Sequence, residues 1–279
     1  MVSFDIKSVL VDNFVDRLEG EFRRVYGNAQ EGYCDAITTA GIMAMEIIAE
    51  SDAMYHNAEH SMMVTLVGQE ILRGKFLRDG RVSPSEWTHF IVSLLCHDIG
   101  YVRGICPGDA GKTAVINAKG DTVEIPPDGT DAFLTPYHVE RGKLFMQWRF
   151  QDHPLIDPKI IINNIENTRF PVPADSDPAQ GSDWPGLVRA ADLIGQLADP
   201  DYIRKLPALF QEFEETGANK QLGNKTADDL REKYPSFYWN FVSNHVKHGI
   251  EYLRVTRVGR KWLASLYSSI FAVEHWQKL

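Results

Sequence analysis

The sequence predicts an all-α protein carrying one small irregular or hairpin insertion near residues 104–136. Apolar residues recur at three- and four-residue steps along most of the chain, the period of helices with one buried face. Serine, proline and glycine fall where helices start and stop, as at Ser83-Pro84. Strand-like residues cluster only in a Gly/Pro/Asp-rich stretch between two of the helical runs.

Residues 4–26 place Val9, Leu10, Phe14, Leu18, Phe22 and Val25 on one helical face, and Gly27-Asn28 punctuates the chain. A second run carries Ile37, Ile42, Met43, Met45, Ile47 and Ile48 and ends near Ser51-Asp52. A third starts around His56-Asn57-Ala58-Glu59-His60 and continues through Met63, Val64, Val67 and Ile71 to Gly74. Ser83-Pro84 opens the fourth, whose stripe of Trp87, Phe90, Ile91, Leu94 and Leu95 delivers His97-Asp98 to its carboxyl end.

Within 104–136, Thr113–Ile116 and Thr122–Ile125 read as a hairpin, and an insertion of this length reads as a functional lid. Helical periodicity resumes at Tyr137–Gly142 and Pro158–Asn167, followed by a polar loop over 171–186. Helix returns at Leu187–Ala198 with Asp192, and the remainder is helical with a break at Asn219–Asn224. A last apolar run (Tyr252, Val255, Trp262, Leu263, Leu266, Ile270, Phe271) reads as core. No repeat or linker divides the chain, so one domain over 1–279 is the simpler prediction.

A net charge of −9 and a pI near 5.5 argue against a nucleic-acid polymer or an anionic membrane as partner. A phosphate-bearing substrate stays open, because bound cations reverse the local field. Three scattered cysteines make no disulfide framework or cysteine zinc site. With no signal-like amino terminus and no membrane-length apolar run, the predicted location is the cytoplasm.

The chemistry concentrates in two stretches. His56 and His60, four residues apart, are expected on one helix face, and His97-Asp98 follows about 40 residues later. Imidazole nitrogens and carboxylate oxygens are ligands for borderline and hard divalent metals. Hydrolysis of a phosphodiester needs an activated water, neutralised phosphoryl charge and a proton for the leaving oxygen. Divalent ions meet the first two needs, and an unligated imidazole suits the third.

The Tyr55-His56-Asn57-x-x-His60 run, His97-Asp98, and Asp192 within Arg189-Ala190-Ala191-Asp192-Leu193 resemble the HD-domain metal-dependent phosphohydrolases. Within that superfamily they look most like the catalytic domain of class I cyclic-nucleotide phosphodiesterases, with a motif core of about 50–245. Leu209–Gly217 is similar to the helix and acidic turn that follow the last metal ligand there. The resemblance implies that His60, His97, Asp98 and Asp192 bind a first metal and that Asp98 bridges to a second. It implies that His56 donates a proton to the leaving oxygen and that Asn57 orients His56 or holds its helix. Tyr101 stands where the phosphodiesterases have a further histidine, and His138 could supply the second metal instead. The glutamine that reads the purine in the phosphodiesterases has no counterpart near Tyr234–Trp239, so cyclic-nucleotide specificity is weakly supported.

Each residue has a plainer reading. Asp192 alone could be an exposed acid, His56 a prop, and His138 an ordinary helix start. Arg169 could meet a substrate phosphate, or pair with Glu166 at the surface. Gly108–Thr113 imitates a phosphate-binding loop, but Cys106 stands where the first glycine is required.

The predicted function is a metal-dependent phosphohydrolase using one or two divalent ions (Zn, Mn, Fe, Ni or Mg), acting on a small cyclic or linear nucleotide or a related phosphoester. Alternatives are a nucleotide phosphomonoesterase or triphosphohydrolase, a non-catalytic nucleotide-binding regulator, and a metal oxygenase. The predicted partner is a small phosphorylated substrate, with a homodimer left open.

Overall fold

A computed structural model describes residues 6–170 and 181–275. The chain is all-α apart from one two-stranded antiparallel sheet. In order come α1 (Ile6–Tyr26), α2 (Glu31–Ala49), α3 (Ala58–Asp79) and α4 (Pro84–Cys96). The hairpin β1 (Thr113–Val115) and β2 (Thr122–Glu124) follows, with Ala114 opposite Val123 as the sequence suggests. Then come α5 (His138–Phe150), α6 (Pro158–Glu166), α7 (Trp184–Leu197), α8 (Tyr202–Thr216), α9 (Ala218–Leu222) and α10 (Ala227–Phe237). A π-helical turn (Tyr238–Val242) leads to α11 (Ser243–His245), α12 (Lys247–Leu253) and α13 (Arg257–His275).

The helix starts follow local chemistry. Ser83 and Glu86 form a reciprocal capping box at α4, with Pro84 in its first turn. Asp157 and Asp183 cap α6 and α7 by simple N-caps, each accepting one first-turn N–H, with a proline in the first turn. At α3 the cap is Asn57, whose side chain accepts from the N–H groups of Glu59 and His60. His56 therefore precedes the helix, and the expectation that it shares a helix face with His60 is corrected. The asparagine between them ends the helical run, because its cap geometry needs an extended backbone.

Other expectations also need correction. The break placed at Asn219–Asn224 contains α9, which begins directly after Gly217, a left-handed position that lets the chain turn between helices. Val9 and Leu10 on α1, Ile42 on α2, and Val255 and Phe271 near the carboxyl end are exposed rather than core. The loop expected at 171–186 lies mostly outside the described residues.

One apolar cluster runs from Phe14 and Leu18 of α1 to Leu266 and Ile270 of α13. α3 lies within it and packs closely on α7. A Cβ on Gly195 would fall 2.6 Å from Val64 Cα, so only glycine permits that approach. The packing seats Asp192, one turn before Gly195, beside His60, one turn before Val64. No helix among the described residues is long and apolar enough to cross a membrane.

The insertion is pinned to the flank of the bundle. Arg141 of α5, fully buried, donates to the carbonyls of Gly100, Val102 and Val115 at 2.6–2.8 Å and to both carboxylate oxygens of Asp109 at 3.0–3.1 Å. All five of its N–H donors are thereby used. Thr130 is tied to Glu215 of α8, and Arg103 joins Asp131 to Asp52.

Candidate metal centre

Three helix ends meet at the floor of a cavity of about 480 Å³. His60 sits in the first turn of α3, His97 ends α4, and Asp98 begins the short turn that follows. Asp192 comes from the middle of α7. His60 Nε2 and His97 Nε2 lie 3.4 Å apart. Asp98 Oδ2 lies 3.2 and 3.1 Å from them, and Asp192 Oδ1 3.7 and 3.6 Å. His60, His97 and Asp192 each offer one ligand atom within 4.8 Å of the others. Ligands about 2.1 Å from a shared ion stand roughly 3.0 Å apart at right angles and 3.4 Å apart at tetrahedral angles. The spacings among His60, His97 and Asp98 fall in that range, and those to Asp192, at 3.6 and 3.7 Å, lie just beyond its tetrahedral end.

Hydrogen bonding argues the same way. His97 Nδ1 is 2.8 Å from the Leu94 carbonyl, which assigns the proton to Nδ1 and leaves the Nε2 lone pair facing His60. Asp98 Oδ2 is buried and within ion-pair distance of both imidazoles, yet neither approach has hydrogen-bond geometry, so it has no hydrogen-bond partner among the described residues. A buried, unpartnered carboxylate oxygen costs several kcal/mol unless something positive meets it. Lone pairs that converge on one point rather than on one another fit a cation.

The electrostatics agree. Burial lowers the pKa of His97, but Asp98 outweighs it and the net value is raised to about 9. Burial raises the Asp98 carboxyl, but the neighbouring histidines hold it well below the usual carboxylate range. Burial pushes the Asp192 carboxyl up, only partly offset by His97 and His60. Without a metal, a proton supplies the positive charge that the two carboxylates attract.

The other predicted residues gather here too. His138 points Nε2 toward Asp98 Oδ1 at 3.8 Å, while its Nδ1 is held 2.6 Å from the Thr135 carbonyl. Burial lowers it to about 4, which favours the neutral imidazole. Tyr101 is buried between His56 and His138, stacked on them at ring separations of 4.7 and 4.5 Å. Asn57 acts as the helix cap and not as a wall of the cavity. Arg169 lines the cavity, but its guanidinium is paired with Glu140 and Glu166, as its plainer reading held. The insertion gives only Thr135 to the lining, so the lid reading gains no support from its placement.

The residue that sequence reasoning missed is Glu212 of α8. Its Oε1 accepts from the N–H groups of Tyr55 and His56 at 2.6 and 3.1 Å, and its Oε2 lies 2.5 Å from His56 Nδ1. Burial lowers the His56 pKa, but Glu212 outweighs it and the net shift is upward. Glu212 was detectable: it extends the buried α8 stripe of Leu206 and Leu209, a phase that an acid does not occupy without a partner.

Fold and site thus define an all-α protein with a buried histidine–carboxylate cluster at the base of a cavity. The chain belongs to the Npun_R2479-like family, whose model matches residues 4–276. No curated protein and no solved structure matches it.

Proposed function

We propose that the protein is a metal-dependent phosphohydrolase of the HD type that hydrolyses a small phosphoester, most specifically a cyclic or linear nucleotide diester. The observation that carries this reading is Asp98 Oδ2, buried between two imidazole nitrogens and hydrogen-bonded to neither. His60, His97, Asp98 and Asp192 would hold the first ion. The second Asp98 oxygen faces His138, and these two groups would hold a second ion if one binds. Held by these residues, a divalent ion would supply Lewis-acid charge and a more acidic bound water.

The chain's own residues supply the proton. Glu212 holds His56 Nδ1, so the imidazolium is favoured and Nε2–H remains to protonate a leaving oxygen. Tyr101 stacks on the ring and fixes its plane. A cavity of about 480 Å³ admits a ligand of nucleotide size, and Phe170, Phe237 and Phe241 give it apolar wall. A non-catalytic regulator has no need of the buried His56–Glu212 pair, and that observation favours an enzyme.

The test begins with elemental analysis of the purified protein. Chelation and reconstitution with Zn, Mn, Fe, Ni and Mg follow, assayed on cyclic nucleotides, deoxynucleoside triphosphates and a bis-nitrophenyl phosphodiester. The expected result is hydrolysis lost on chelation and restored by at least one metal, with metal content lost in His60→Ala and Asp192→Ala. Wild-type metal content after exchange of all four ligands to alanine would refute the centre. A loaded protein that hydrolyses none of the three substrate classes would refute the enzyme.

A further inference from the structure

Among the described residues, three cationic side chains besides the histidines line the cavity: Arg169, Lys233 and Arg189. They differ in what neutralises them. Arg169 is paired with two carboxylates. Lys233 Nζ donates to the carbonyls of Leu222 and Gly223 and to Asn224 Oδ1 at 2.6–3.2 Å, which uses its three donors. Arg189 is the most buried, at 7% exposure, and among the described residues it makes no ion pair, the carboxylate that acts on it being that of Asp183. It bonds only Asn167, through Nε to the carbonyl at 2.7 Å and through Nη2 to Oδ1 at 2.6 Å.

The plain explanation is that Arg189 caps the carboxyl end of α6, where Asn167 sits and the helix dipole favours a cation. That accounts for part of the guanidinium. A guanidinium has five N–H donors, and two bonds leave three without a partner among the described residues. A buried cation facing neutral groups is costly unless an anion completes it. Burial lowers the Arg189 pKa, and Asp183 opposes this only weakly. Asn167 thus fixes one edge of a planar fork and leaves the remainder for a ligand in the cavity that Arg189 lines.

We infer that Arg189, positioned by Asn167, binds a second oxyanion of the ligand, a phosphate or carboxylate other than the group held at the metal centre. The inference rests on the phosphohydrolase reading for where the reacting group lies, and not for the anion site itself. It narrows the substrate class to esters with an additional anionic group. Planar guanidinium donors favour a two-pronged oxyanion over a single point charge.

The test is calorimetry on the chelator-treated protein with pyrophosphate, inorganic phosphate and succinate as probes, so that no turnover is involved. The wild type is expected to bind at least one probe. Arg189→Gln should weaken that binding by about tenfold or more, with Arg189→Lys in between. Phosphate and succinate distinguish the two kinds of oxyanion. Asn167→Asp guards against a folding artefact: it keeps the guanidinium but places a carboxylate 2.6 Å from Nη2, and should also abolish the binding. On loaded enzyme, a nitrophenyl nucleotide ester bearing a second phosphate should lose more in KM from Arg189→Gln than the ester without it.

Wild-type affinity in a folded Arg189→Gln protein, or no binding of any probe by the wild type, would overturn the inference. If binding depends on Arg189 yet the loaded protein hydrolyses nothing, the phosphohydrolase reading fails and the anion site stands.

Discussion

Glu212→Gln removes one charge from a buried site and almost no volume. Glu212 Oε1 accepts two backbone N–H groups, so a glutamine keeps its carbonyl oxygen there and must turn its NH2 toward His56 Nδ1. Two donors cannot face each other, and His56 is driven to the neutral tautomer protonated on Nε2. A hydrogen bond to a charged partner contributes about 1.5–3 kcal/mol, and one pKa unit is about 1.4 kcal/mol, so the His56 pKa should fall by about one to two units. At a pH above the wild-type pKa, protonated His56 then falls by about 10- to 100-fold, reaching the lower end of general-acid contributions, and by less where the wild type is itself largely protonated. The assay compares two leaving groups on the metal-loaded protein. A phosphoester with an alkoxide leaving group should slow by about that factor and regain rate toward acid pH. A nitrophenyl ester, whose leaving group needs no proton, should slow by less than about threefold. Metal content should not change. Equal losses on both esters, or none on either, would show that the His56–Glu212 pair is not the proton donor.

Two further perturbations probe how the site is held. Asp109→Asn leaves the fully buried Arg141 without its counter-charge, and should cost about 3–5 kcal/mol in urea unfolding at neutral pH. Burial raises the Asp109 carboxyl, but bonds from Arg141 and from the N–H groups of Val115 and Cys106 outweigh this and hold it below its ordinary value. Its contribution is therefore complete above the unfolded pKa and is lost as pH falls through the lower folded value. The gap between wild type and Asp109→Asn should close below about pH 4, and a constant gap would refute the ion pair. Gly100→Ala would put a Cβ 1.8 Å from the His138 carbonyl oxygen and 2.6 Å from Gly142 N, both backbone atoms that cannot rotate away. The expected cost is at or above the roughly 3 kcal/mol end of overpacking penalties, read as a drop in unfolding midpoint. A variant as stable as the wild type would mean that α5 does not rest on the turn carrying Tyr101.

The metal-site candidates were legible because their geometry is local. Asn57 caps α3 three residues before His60, and α4 ends where His97 and Asp98 are needed, so short motifs carry most of the information. Asp192 was found through the motif around it, and its place beside His60 depends on Gly195 meeting Val64, a contact that no periodicity reports. The error over His56 came from reading a four-residue spacing as helix across an asparagine whose cap chemistry stops the helix. Arg169 was misleading because its neighbour Glu166 was visible in the sequence and Glu140 was not.

What stayed hidden shares one physical trait. Glu212, Arg141 and Arg189 are charged residues placed on apolar helical phases, where burial forces each to find a partner. The helical phase marks such a residue, and the partner decides its role. Arg141 has five hydrogen bonds and a carboxylate, so nothing is left for a ligand and its work is to hold the insertion and the Tyr101 turn. Glu212 spends one oxygen on the backbone and the other on His56, so its charge is directed at a single imidazole. Among the described residues Arg189 has two bonds to a neutral asparagine and no carboxylate within ion-pair distance, which is the ground for the proposed anion site. The same rule that makes Asp98 Oδ2 point to a cation therefore makes Arg189 point to an anion. The two lie on one cavity, so the proposed substrate with two anionic groups rests on the polar accounting and not on the cavity's size.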